Sequence, residues 1–356
     1  MKACTRCETL PEPLPDQGVL YFAPPEPSTG AKLGHALSKL GLQSQEDGDG
    51  IHTAAMSATQ LRDWCRELQA HLNRVEANDT RCLFLDASRV LSIRDAVHMH
   101  TLTQLMAEAN SALLRGILED ERMTCFFQPI VYTDDPGRAY AYECLLRGFD
   151  TEGNPVSPGP LFKLAADADM LFQLDRAARL TIIKRAQQVG LSQRFFINFV
   201  PTAVYNPEFC LRTTVAAADA AGISRDQIVF EVTESEKITD IKHLQSILNY
   251  YRDNGFKVAL DDLGSGYSSL NLIHLLRPDY LKMDIELVQG VDHDAFKASV
   301  SRSLLNLARE LDVPVIAEGI ERVEEYQWLR ENGATYLQGY LFGRPAAEPG
   351  TPVAPA

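Results

Sequence analysis

The chain has 356 residues, 45% of them hydrophobic and 23% charged, with a formal net charge of -14. That balance suits a globular protein of two domains and excludes a disordered chain. The acidic excess argues against binding to a nucleic-acid polymer, which needs a basic footprint.

No apolar run reaches the roughly 18 residues of a membrane span. The N-terminus, MKACTRCETLPEPLPDQG, has no signal-peptide core, so a cytoplasmic protein is expected. The seven cysteines, Cys4, Cys7, Cys65, Cys82, Cys125, Cys144 and Cys210, are odd in number and scattered, which is not a disulfide framework. Cys4 and Cys7 form one C-x-x-C, a weak signal for metal or redox chemistry.

Residues 1–108 predict a small N-terminal α/β domain, read as regulatory. Strands are expected at Val19–Ala23, Cys82–Leu85 and near Ile51–Thr53, and helices at Ala31–Leu40, Ser57–Asn78 and Ser92–Met106. Ser44–Gly50 is a polar loop, and a helix over Leu102–Leu118 leads into the second domain.

From Cys125 the pattern becomes regular. The strand-like runs FFQPIVY, AYECLLRG, RFFINFVP, IVFEVTES, KVALDDLG, YLKMD, PVIAEGIE and YLQGYLFG alternate with helix-length stretches such as Phe172–Val189 and Glu236–Asn254. This predicts a (β/α)8 TIM-like barrel over 109–346. The first two runs are separated only by a turn containing Asp134-Asp135-Pro136-Gly137, too short for a parallel crossover, so the first strand should be antiparallel. The Pro- and Ala-rich residues 347–356 read as a disordered tail.

Polar residues recur near the C-terminal ends of these runs: Glu143 and Arg147, Asn198, Glu231 and Glu234, Asp261-Asp262, Lys282, Glu318 and Glu321, and Gln338. Such residues are costly to bury, and the C-terminal face is where β/α barrels build active sites. Converging carboxylates repel one another unless cations sit among them. Carboxylate and amide oxygens suit Mg²⁺ or Mn²⁺, and the absence of histidine from these motifs argues against zinc. A two-metal site suits in-line attack of water on a phosphodiester, with Lys282 steadying the attacking oxygen or a phosphate.

The motifs Glu143-Cys144-Leu145-Leu146-Arg147, Phe127-Gln128-Pro129-Ile130, Asn198-Phe199-Val200-Pro201, Glu231-Val232-Thr233-Glu234, Asp261-Asp262-Leu263-Gly264-Ser265-Gly266, Leu281-Lys282-Met283-Asp284, Ala317-Glu318-Gly319-Ile320-Glu321 and Gln338-Gly339-Tyr340 together resemble the EAL-domain phosphodiesterases over residues 110–346. Cys144 stands where the family usually has Ala, Phe199-Val200 where it has an apolar residue and Ser, and Leu263 and Ser265 where it has Phe and Thr.

The resemblance implies hydrolysis of cyclic di-GMP to linear pGpG with two Mg²⁺ or Mn²⁺ ions. Glu143, Asn198, Glu231 and Asp261 would hold one ion, and Asp261 and Asp262 the second, with Glu318 nearby. Lys282 would contact the attacking water and Gln338 would support the site. Glu321 belongs to the same constellation with its role open. Glu234 would anchor the mobile loop Gly264–Ser269. Arg147 would grip a ligand phosphate, and Gln128, Leu146, Asp175 and Pro201 would line the guanine pockets. The resemblance also implies a homodimer on the side of the fifth strand, where Leu270, Leu272, Ile273, Leu275 and Leu276 exceed the needs of one core-facing stripe. The alternative is a cyclic di-GMP receptor that signals through residues 1–108. No Gly-Gly-Asp/Glu-Glu-Phe signature is present, so synthesis is not expected.

Overall fold

A computed structural model of the chain describes residues 9–47, 50–89, 91–97, 99–233, 240–264 and 269–355. Cys4, Cys7, Glu234 and residues 265–268 of the loop after the fifth barrel strand lie outside them. Among the described residues no helix is long and apolar enough to cross a membrane.

The chain divides into two compact units, Glu8–Arg122 with Phe149–Leu174, and Met123–Gly148 with Asp175–Ala356. The first unit therefore runs past the boundary expected at 108, and the segment expected as one helix over Leu102–Leu118 is two helices, Leu102–Ala109 and Ala112–Glu119. Its sheet is antiparallel, in the order Gln45–Glu46, His52–Ser57, Gln17–Ala23, Arg81–Asp86, His100–Thr101. Leu20 and Phe22 of the central strand face Leu33, Leu37, Trp64, Leu68 and Leu105 in a closed apolar core. Two expected helices are interrupted. Ser57–Asn78 divides into Ala58–Leu68 and Arg74–Asp79, because the Asn73 side chain accepts from Val75 and Glu76 N–H and starts a new helix. Ser92–Met106 divides likewise, where Thr101 and Gln104 form a capping box after the short strand His100–Thr101.

The second unit is a closed barrel, a TIM-like (β/α)8 fold with one irregular strand. Its strands are β1 (Met123–Tyr132), β2 (Ala139–Phe149), β3 (Arg194–Asn198), β4 (Ile228–Thr233), β5 (Lys257–Leu263), β6 (Tyr280–Met283), β7 (Val315–Ala317) and β8 (Tyr336–Gln338). Neighbours from β2 to β8 pair parallel through β3, β4, β5, β6 and β7. β1 pairs antiparallel with both β2 and β8, as the short turn requires.

The barrel interior is apolar at mid-height. Ile130, Ala141, Phe196, Val229, Ala259, Tyr280 and Ile316 form one buried cluster against which Tyr336 packs, so every strand contributes. The N-terminal end is closed by aromatics: Tyr140 stacks on Tyr336 at 3.7 Å between centroids, and its hydroxyl lies 2.5 Å from that of Tyr280.

Where the sequence predicts a disordered tail over 347–356, several of the described residues 347–355 make contacts. Val353 N–H donates to the Phe342 carbonyl, Tyr142 Oη to the Gly350 carbonyl and Arg185 to the Ala347 carbonyl, and Pro352 is buried. Proline lacks a donor but loses little entropy on ordering, so a few anchors suffice.

Candidate active site

Side chains alternate across a strand with period two. Two residues beyond the apolar layer, on the same face of each strand, lie Glu143, Asn198, Glu231, Asp261, Lys282, Glu318 and Gln338. On the antiparallel β1 the count runs backwards, from Ile130 to Gln128, which is paired in register with Glu143. The barrel's C-terminal mouth thus carries a ring of polar residues with one member from every strand.

Lys282 occupies the centre. It is 1% exposed, and its Nζ lies 2.7 Å from Glu231 Oε1, 2.5 Å from Glu318 Oε1, 3.2 Å from Asp261 Oδ1 and 3.8 Å from Glu143 Oε2. Burial alone would lower its pKa, but Asp261, Glu143, Glu231 and Glu318 outweigh burial and hold the ammonium protonated. Burial pushes the Glu231 and Glu318 carboxyls well above the usual carboxylate range; Lys282 opposes this and the neighbouring carboxylates add to it. Glu143 is oriented from both sides. Asn198 Nδ2 donates to its Oε1 at 3.1 Å and Gln338 Nε2 to its Oε2 at 2.6 Å.

Strict alternation would point Asp262 out of the ring. Instead the pairing of β5 with β6 shifts register between Leu260 and Leu263, and Asp262 adopts a left-handed φ of 59°. As a result Asp261, Asp262 and Glu318 each offer an oxygen within 4.8 Å of the other two. Burial first, then Asp261 and Asp284, raise the Asp262 pKa to about 6.

These residues fit divalent cations. Both oxygens of Glu231 are buried without a directed hydrogen bond, as is Oε1 of Glu318, although Lys282 Nζ is close to both groups. One ammonium among this many carboxylates leaves acceptor oxygens unused, and hard cations take such oxygens.

Other expected residues fall elsewhere. Leu146 is buried on the face of β2 opposite Glu143 and Arg147, with Cys144, so Leu145 shares the mouth side instead. Counting by two from Glu143 finds Leu145 in the sequence. Arg147 lies over the Phe126 ring at 5.0 Å and donates from Nη1 to the Leu146 carbonyl at 2.7 Å. Asp175 is 1% exposed; it pairs with buried Arg179 and accepts from Val200 N–H at 2.9 Å, just before Pro201. It therefore positions the loop after β3 rather than facing an open pocket. Glu321 is exposed and is not drawn into the Lys282 cluster. Leu272, Ile273 and Leu276 of helix Ser269–Leu276 are buried, and the side chain of Leu270 lies outside the described residues.

A ring of carboxylates around one lysine at the mouth of a barrel with an antiparallel first strand defines a class, and the comparisons agree with it. The EAL domain profile matches residues 110–345, and the chain belongs to that family. The probable cyclic di-GMP phosphodiesterase PdeG of Escherichia coli (strain K12) is 31% identical over 242 residues, which cover 65% of this chain and 46% of PdeG. The chain thus spans less than half the length of this curated relative. A standalone versatile EAL protein from Vibrio cholerae O395, in its c-di-GMP bound form, is 33% identical with a TM-score of 0.59 over 65% of this chain and 95% of that one. The manganese/cy-diGMP complex of Klebsiella pneumoniae BlrP1 is 25% identical with a TM-score of 0.57, over 93% of this chain and 96% of that one.

Proposed function

We propose that this protein is a phosphodiesterase that hydrolyses cyclic di-GMP to linear pGpG with two Mg²⁺ or Mn²⁺ ions. The observation that carries the reading is the ring itself, with the Asp261, Asp262 and Glu318 triad beside Lys282. Glu143, Asn198, Glu231 and Asp261 would hold one ion, and Asp261, Asp262 and Glu318 the other. When bound, the ions lower the pKa of water and offset charge on the phosphoryl oxygens.

The chain's own residues do the rest. Asn198 and Gln338 fix both oxygens of Glu143, so the carboxylate turns its remaining lone pairs to the mouth. Lys282 is held charged where an attacking oxygen or a non-bridging phosphate oxygen gains from a buried cation. Gln128, on the same face and paired with Glu143, and Pro201 line the rim, and Arg147 has guanidinium nitrogens left for a phosphate. Asp175 serves the same subsite by holding the Val200 N–H.

A homodimer on the β5 side, with Glu234 anchoring the loop at 264–269, follows from the family resemblance. Sedimentation over a range of concentrations tests it, and a monomer with full activity would remove it. The functional reading is tested by product analysis with cyclic di-GMP, with and without divalent metal. Metal-dependent appearance of pGpG is expected. Tight binding without turnover would leave a receptor.

A further inference from the structure

We propose that Glu325 is a positioning residue that ties the loop after β6 to the loop after β7, and so sets the place of Glu318 in the cation triad; this rests on the divalent-cation reading above. Glu325 lies in the first turn of helix Val323–Glu331 and is 3% exposed. Its Oε2 accepts from Glu321 N–H at 3.1 Å and Arg322 N–H at 3.2 Å. That much is ordinary capping of its own helix. Its Oε1 does something else. It accepts from Gly290 N–H at 3.0 Å, in the loop that follows the strand carrying Lys282.

Further contacts span the same gap. Arg322 Nε lies 3.3 Å from Glu325 Oε1, and its Nη2 lies 2.5 Å from Asp292 Oδ1. Gln289 Nε2 donates to the Gly319 carbonyl at 3.5 Å. The segment between them has no slack. Gly319 has a φ of 70°, and a Cβ there would sit 2.2 Å from Ile285 Cγ1. A Cβ on Gly339 would sit 2.0 Å from the Ile320 carbonyl oxygen. Residues 318–322 are therefore wedged between the loops of β6 and β8. Glu318 opens this wedged segment, its N–H donating to the Met283 carbonyl at 3.1 Å and its Oε1 lying 2.5 Å from Lys282 Nζ. A carboxylate tie at the far end of a five-residue segment limits where its first residue can place its side chain. Groups hydrogen-bonded directly to a ligand are worth about 10–100-fold in metal affinity, and a tie one segment removed is expected at the lower end of that range.

The experiment separates the tie from the cap. Glu325→Gln keeps one oxygen for the helix N-terminus but turns an amide N–H₂ towards either Gly290 or the cap, where a donor already stands. Glu325→Ala removes both functions. Mn²⁺ binding to the full chain is measured by the EPR signal of free Mn²⁺, beside melting curves in chelator. The expected result is a loss of Mn²⁺ affinity of at least about tenfold for Glu325→Ala and about threefold for Glu325→Gln, with a smaller fall in melting temperature for the Gln variant than for the Ala variant. Affinities within twofold of wild type in the Gln variant, and in the Ala variant if it folds, would overturn the proposal. So would a loss of melting temperature with no loss of affinity, since that is capping alone. Wild-type protein that takes up no Mn²⁺ would overturn the metal reading itself, a result distinct from normal wild-type uptake with indifferent variants.

Discussion

The Nζ of Lys282 lies 2.7 Å from Oε1 of Glu231, pairing a 1% exposed ammonium with a fully buried carboxylate across the barrel mouth. Neither charge tolerates burial alone, and removal of one partner of such a pair is strongly destabilising. Lys282→Ala is therefore expected to lower the melting temperature in chelator, with part of the loss restored by Mn²⁺. Turnover should fall at least about tenfold, roughly 1.4 kcal/mol of transition-state stabilisation. Unchanged turnover at saturating Mn²⁺ would make Lys282 purely structural.

Glu143→Ala should abolish hydrolysis of cyclic di-GMP. It deletes a proposed ligand and leaves the amides of Asn198 and Gln338 without the acceptor that orients them. Binding of the dinucleotide should persist, because Arg147 and Gln128 remain. Turnover assays beside calorimetric titration check both parts, and near-normal turnover would refute the role of Glu143.

Asp262→Asn should stabilise the metal-free protein while weakening metal binding. The folded pKa of Asp262 is raised from 3.8 to about 6 by burial and by Asp261 and Asp284. A raised carboxylate binds its proton more tightly in the folded state. Its stabilising contribution is thus complete below about pH 4 and is lost as pH rises through 6. Asparagine carries no charge and accepts the left-handed backbone found there. With solvent screening at this partly buried group, the gain at neutral pH is expected to be about 1 kcal/mol. Melting in chelator at pH 4 and pH 8 provides the measurement. A variant that loses as much stability between the two as wild type would rule the account out.

Mg²⁺ or Mn²⁺ should support activity and Ca²⁺ should support it poorly. Calcium takes more ligands at longer distances, so the oxygens around Asp261, Asp262 and Glu318 would hold it without the tight geometry that in-line attack needs. Initial rates in each ion after chelation measure this, and full activity in excess chelator would exclude a metal mechanism.

Alternating strands and helices, the short turn before Ala139 and polar residues at strand ends were all legible in the sequence, because strand periodicity and crossover length are local properties. The chain by itself therefore determined the barrel, its antiparallel first strand and the carboxylate, amide and lysine set of the mouth. Interruptions at Asn73 and Thr101 were harder to see, since a cap competes with the helix around it only through geometry. Tertiary structure alone decided the rest. It supplied the register shift on β5 and the left-handed backbone that turn Asp262 into the ring. It also buried Asp175 against Arg179, left Glu321 in solvent and gave Glu325 a second loop to hold. Each of these depends on which face a residue presents and which distant group meets it there, and both are set by the closure of the barrel.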